Sequence, residues 1–232
     1  IHDAEQAKEA IRLAREARFA NVSLDLIFAL PEQTLAEWEA DLANAIALRP
    51  DHVSAYNLTY EESTPFEAMR RRGELKPLAE EIEVAMFTRT RELLSAAGYE
   101  PYEISNFARP GRACRHNLNY WRGGDYLGAG AGAHSFARAP QPARRWSNEK
   151  LPARYIERAT TTGAARSFEE TLTEEQARGE FVFLGLRCSD GFAAADFEGR
   201  FGADFLSVFP HVESLVRDGL LDPLRLHGTI NM

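Results

Sequence analysis

Three stretches of the sequence carry residue types that could do chemistry. The first is His116-Asn117-Leu118-Asn119-Tyr120-Trp121, which packs a histidine, two amides and two large aromatics into six residues just after Pro110-Gly111. A neutral imidazole is a common ligand of haem iron, and the aromatic pair offers flat apolar surface. The same composition also suits a loop pinned by Tyr120 and Trp121, with His116 bonded to a backbone carbonyl. The second is Asp25, set between Leu24 and Leu26 in an apolar run, where an unpaired carboxylate would cost roughly several kcal/mol if buried. It either pairs with a buried cation or faces a ligand, and in α/β folds ligands gather at the C-terminal ends of strands. The third is Tyr126 to Ser135, YLGAGAGAHS, whose glycines admit positive φ and close backbone approach. It lacks the strand-GxGxxG-helix spacing and the following ribose carboxylate of a dinucleotide site. It reads as a strand tip lining a cofactor pocket or as tight strand packing.

Other combinations are weaker. Cys114, His116 and His134 match no common zinc spacing and have no fourth ligand nearby in sequence. Ser135, His134 and Asp25 could be read as a hydrolase triad, but no GxSxG elbow accompanies them. Two cysteines far apart form neither a disulfide framework nor a CxxC site, so a reducing cytoplasm is expected. The formal charge of −8 argues against broad binding to nucleic acid. The one basic run, Arg70-Arg71-Arg72, is flanked by Glu67 and Glu74 and reads as a solvated face. No apolar run reaches membrane-spanning length.

The elements that must position these residues alternate along the first hundred positions. Helices are predicted from Ala4 to Phe19, from Leu35 to Leu48 behind a Thr34/Glu37 capping box, and from Leu78 to Ala97 with Gly98 at its end. Strands are predicted from Asn21 to Leu30, His52 to Tyr60 and Tyr99 to Phe107. Near-continuous apolar strands between helices predict three parallel strands covered by helices, too few to close a barrel. After about Asn148, helices are expected at Glu174 to Leu186, Ala193 to Arg200 and Phe205 to Asp218, followed by a short extended segment. That order suits a small winged-helix-like module without a basic recognition helix, in a structural or docking role.

The strings LDLIFALPEQT, HVSAYNLTYEESTP, GYEPYEISNFARPG, HNLNYW, YLGAGAGAHS and RRWSN follow one another in that order, with LGLR and DGLLD further on. This succession resembles the HemW branch of the HemN-like radical S-adenosylmethionine (SAM) family over nearly the whole chain. The resemblance implies an α/β fold: the C-terminal half of a TIM-like partial barrel in residues 1–150, then a helical winged-helix-like domain in residues 151–232. It implies SAM contacts at Asp25, at Thr59 and at His134, the last two matched by position rather than residue type. Asp25 is expected at a strand's C-terminal end beside Thr59, its carboxylate turned to the barrel interior. His116 is implied as haem ligand, with Tyr120 or Trp121 against the porphyrin. The implied cofactors are haem, SAM and a 4Fe-4S cluster, whose CxxxCxxC ligands would lie before Ile1. The implied role is a cytoplasmic haem chaperone passing haem to haem proteins; the rival is an oxygen-independent coproporphyrinogen III oxidase. This chain departs from the family pattern at Ala29, where glycine is usual, and at Leu226 to Met232.

Overall fold

A computed structural model describes residues 3–222. The chain divides into two compact units, Ile1–Cys114 and Arg115–Met232. The division expected near residue 150 would pass between the second and third strand-forming stretches of one sheet in the second unit.

The first unit runs α1 (Ala4–Glu16), β1 (Ser23–Phe28), α2 (Leu35–Ala47), β2 (His52–Asn57), α3 (Pro65–Arg71), α4 (Glu80–Ala96), β3 (Glu100–Pro101) and β4 (Asn106–Ala108). The α2 start follows its sequence signal. The Thr34 hydroxyl accepts from the Glu37 N–H at 3.2 Å, and the Glu37 carboxylate accepts from the Thr34 N–H at 2.8 Å. Gly98 ends α4 with φ of 84°, a left-handed turn that glycine adopts without steric cost.

The sheet order is β1-β2-β4-β3. β1 and β2 are parallel, as expected, in the register Asp25 to Ser54 and Phe28 to Asn57. The third strand is not the parallel one predicted. Residues 99–107 split at a turn, and β4 returns antiparallel between β2 and β3. The buried Glu103 carboxylate holds that turn by accepting from the Ser105 N–H at 2.7 Å and the Asn106 amide at 2.6 Å. One sheet face packs Phe28, Val53, Ala55 and Phe107 against Trp38 and Leu42 of α2 and Met86 and Leu94 of α4. Trp38 donates its indole N–H to the Thr90 hydroxyl at 2.9 Å, joining α2 to α4. Among the described residues β1 pairs only with β2, so its other edge is open and no barrel closes.

The second unit runs α5 (Arg115–Trp121), β5 (His134–Ala137), β6 (Arg144–Asn148), α6 (Pro152–Thr162), β7 (Arg166–Thr171), α7 (Glu174–Gly185), α8 (Ala194–Phe201), α9 (Phe205–Val208) and α10 (Val212–Arg217). β6 is the middle strand of an antiparallel sheet, β5-β6-β7, which ties residues 134–148 to 166–171. α7 and α8 stand where helices were expected. The third helix is two short ones, because Phe209-Pro210 interrupts it; proline lacks the N–H a continuing helix needs. Phe181, Phe192, Phe197 and Phe205 pack edge to face in the core of this helical part. The expected extended segment after Asp222 lies outside the described residues.

Candidate functional site

In the first unit, the strands' two-residue alternation places Leu26 and Phe28 on the helix-covered face and Ser23, Asp25 and Ile27 on the other. On that second face the His52 ring lies between two hydroxyls, with Nδ1 2.8 Å from Ser23 Oγ and Nε2 2.8 Å from Tyr102 Oη. Burial pushes the His52 pKa down, while the nearby carboxylates of Asp25 and Glu103 oppose that shift. Ser54 and Asn106 are buried beside it. The result is a polar sheet face centred on His52, a residue sequence reasoning did not single out. The signal was present: His52 and Ser54 alternate with Val53 and Ala55 along β2.

Asp25 lies on this second face, but it is the third of six residues in β1 rather than at the strand's C-terminal end. It is exposed and makes no hydrogen bond or ion pair to a described residue, so the burial cost expected from its apolar neighbours does not arise. Nor is Thr59 beside it. Asp25 pairs in register with Ser54, and Thr59 is exposed two residues beyond the end of β2. At ~3.3 Å per residue, the five positions from Ser54 to Thr59 amount to roughly 16 Å along the strand direction.

In the second unit, the HNLNYW segment is the helix α5, not a loop. Its amide Asn119 donates to the Asp125 carbonyl at 3.1 Å and so holds the return of the chain. His116 and Tyr120 are four residues apart and therefore share a helix face. Their rings meet edge to face, with centroids 4.7 Å apart and planes at 84°. Tyr120 in turn meets Tyr126 at 4.5 Å, and Tyr126 lies 6.1 Å from Phe136 of β5. His116 is exposed, and neither ring nitrogen bonds a described residue; the backbone-bonded alternative does not hold. Trp121 turns elsewhere. The Arg187 guanidinium lies 4.3 Å from its ring centroid, and its buried indole N–H has no partner among the described residues.

A cavity of about 400 Å³ opens beside this aromatic row, lined by Tyr120, Trp121, Tyr126, Phe136, Arg145 and Glu180. Arg145 donates to both carboxylate oxygens of Glu180, at 2.6 and 2.7 Å, a charge-assisted pair of the strong kind. Burial pushes the Tyr126 phenol pKa up, against the field of Arg145.

His134 opens β5 and is exposed, paired in register with Ser147. The glycine-rich segment before it is an irregular loop rather than a phosphate-binding turn into a helix. Gly128 is there for close packing, since a Cβ would stand 2.1 Å from the His134 carbonyl oxygen. Ser135 is fully buried, and its hydroxyl accepts from the Gly128 N–H at 2.9 Å, an engagement that suits a structural residue better than a nucleophile. Among the described residues no cluster of three metal-ligating side chains occurs, and neither cysteine is in a disulfide. The basic run is neutralised locally. Glu67 accepts from Arg70 and Arg71, and Glu74 pairs with Arg72.

Comparison with known proteins bears on both units. Residues 172–225 match the HemN C-terminal domain. The heme chaperone HemW of Bacillus subtilis (strain 168) is 35% identical over 223 residues, covering 95% of this chain and 58% of that protein. The chain belongs to the HemN/HemW radical SAM family. The heme chaperone HemW of Lactococcus lactis is 32% identical over 231 residues, 98% of this chain and 59% of that protein. The chain thus spans rather under two thirds of the length of these relatives. The coproporphyrinogen III oxidase HemN of Escherichia coli, a radical SAM enzyme, has a similar fold. The TM-score is 0.77 at 22% identity, over 98% of this chain and 56% of that one. Among the described residues no helix is long and apolar enough to cross a membrane.

Proposed function

We propose that this chain is the haem-binding part of a haem chaperone, with His116 as the iron ligand. One observation carries the reading: an exposed imidazole whose nitrogens bond no described residue stands at one end of an aromatic row, Tyr120-Tyr126-Phe136, and that row lines a cavity. Haem ligation asks for such an imidazole next to flat apolar surface. Tyr120, on the same helix face, is the aromatic residue to pack against the porphyrin, while Trp121 shapes the cavity wall. The names of the HemW relatives support the same reading.

SAM contacts at Asp25, Thr59 and His134 belong to this proposal. The sheet face carrying Asp25 and His52 offers polar groups to a nucleoside, and the spread from Asp25 to Thr59 suits an extended ligand. The 4Fe-4S cluster does not fit this chain's own residues, because Cys114 and Cys188 cannot supply a set of closely placed thiolates. Within the family's domain plan, residues 1–150 would belong to the barrel part and 151–232 to the C-terminal domain. The cytoplasm is the proposed location, consistent with two cysteines outside any disulfide.

The rival reading is a coproporphyrinogen III oxidase, favoured by the fold likeness to HemN. The two separate in one experiment on the full-length protein. Loaded with haem and mixed with an apo haem enzyme, a chaperone activates the acceptor even when a haem scavenger traps free haem. Anaerobically with SAM and a reductant, it leaves coproporphyrinogen III unconsumed. Turnover of coproporphyrinogen III without handover of haem would reverse the assignment.

A further inference from the structure

Arg200 of α8 is a half-buried cation. Its guanidinium lies over the rings of Phe181 and Phe201, with centroids 5.5 and 5.4 Å away, and above Gly123, where a Cβ would stand 2.8 Å from Nη1. It makes no hydrogen bond or ion pair to any described residue. Guanidinium keeps its proton in proteins and presents five donors, so Arg200 offers a forked set of N–H groups to a ligand or to water. Burial pushes its pKa down, and repulsion from nearby Arg138 adds to that; Asp125 and Glu180 act in the opposite sense from a distance.

The other charges around it are already committed. Asp125 accepts from the Arg138 backbone N–H at 2.7 Å and from its Nε at 3.2 Å. Asp190 lies 3.5 Å from Arg122, and Asp196 accepts from the Ala193 N–H at the start of α8. Arg138 and Arg200 line a cavity of about 740 Å³ whose apolar walls include Trp121, Phe181 and Phe192. Trp121 also lines the smaller cavity beside Tyr120 and Tyr126, so one side chain forms a wall of both.

We infer that this cavity is a carboxylate subsite in which Arg200, with Arg138 beside it, holds a propionate of a tetrapyrrole. This inference rests on the proposed haem binding and names a second contact for the same ligand. The chemistry selects a carboxylate over a phosphate. The planar fork of Arg200 matches the paired oxygens of carboxylate and phosphate alike, but the surrounding Asp125, Asp190 and Asp196 disfavour a dianion and so favour the carboxylate. The apolar walls suit the rim of a flat macrocycle. One edge of a tetrapyrrole carries carboxylates and the rest is apolar, which matches an arginine cavity and an aromatic cavity sharing Trp121.

The test uses metal-free protoporphyrin IX, which His116 cannot ligate through iron, and its dimethyl ester. Both are titrated by porphyrin fluorescence into the full-length protein, its Arg200→Gln variant and its Arg200→Lys variant, with circular dichroism to check the fold. The wild type should bind the free acid about tenfold more tightly than the ester, the scale of a lost charge-assisted hydrogen bond. Arg200→Gln should remove that preference by weakening the acid alone, and Arg200→Lys should restore part of it. Equal acid binding by wild type and Arg200→Gln, an equal loss for acid and ester, or no binding of either porphyrin would overturn the subsite. The two claims fail separately. A missing iron-histidine spectrum with haem sinks the His116 ligand while acid-over-ester selectivity stands; loss of that selectivity leaves the iron-histidine spectrum intact.

Discussion

Replacing Glu32 with glycine should stabilise the protein by about 0.7 kcal/mol, while the same change at Ala29 should be near neutral. Both residues lie in the turn from β1 to α2 with positive φ, 61° at Ala29 and 65° at Glu32. The Gln33 N–H donates to the Leu30 carbonyl at 3.0 Å, so Pro31 and Glu32 are the central residues of a tight turn. Proline followed by a left-handed residue is the type II pattern, whose second central position favours glycine. A left-handed non-glycine residue costs on the order of 1–2 kcal/mol. The extra freedom of glycine in the unfolded chain offsets roughly 0.5–1 kcal/mol of that gain. Glu32 is exposed and its side chain bonds nothing described, so the difference of about 0.7 kcal/mol should be seen in full. Ala29 is only 2% exposed within the core facing α2. Deleting its methyl forfeits about 0.8 kcal/mol of burial, which cancels the relief. Urea denaturation followed by circular dichroism reads the difference as a shift in midpoint at constant slope. A destabilised Glu32→Gly variant, or an Ala29→Gly gain as large as that of Glu32→Gly, would refute the strain argument.

Three further outcomes follow from the same geometry. Thr90→Val should cost about 1–3 kcal/mol, because it leaves the buried Trp38 indole N–H without an acceptor; a loss under about 0.5 kcal/mol in denaturant titration would show that bond to be dispensable. His52, held below its ordinary pKa by burial, stays neutral while the unfolded chain takes up a proton. Its contribution is therefore complete above about pH 6.5 and lost as pH falls below it. His52→Gln should flatten the stability loss between about pH 7 and about pH 5, and an unchanged slope would assign that loss to other groups. Anaerobic reconstitution of the 232-residue chain, with its two cysteines, should yield no stoichiometric 4Fe-4S cluster by iron and sulfide analysis.

Much of the first unit was legible because its signals are local. The Thr34 capping box and Gly98 each satisfied a backbone need that only a few residue types can meet. The antiparallel return of β4 was not legible, since it depends on the Glu103 carboxylate folding back onto Ser105 and Asn106. In the second unit, α6 passed unnoticed although Pro152 at its first turn and Gly163 after its end, at φ of 71°, are the usual boundary residues. β7 could not be seen: five of its six residues are exposed, so no alternation marks it. At the candidate site, HNLNYW declared its residue types but not their directions. Helical geometry pairs His116 with Tyr120 and turns Trp121 to Arg187. Arg200 carried no sequence signal at all, because its lack of a hydrogen-bond or ion-pair partner among the described residues exists only after folding.

The most direct test of haem binding through His116 is a spectral titration of the full-length protein with haem, beside its His116→Ala variant. The wild type should show the Soret shift of histidine ligation at one haem per chain. The variant should lose that shift while keeping its circular dichroism. Identical spectra and affinities for the two proteins would mean that His116 is not the ligand.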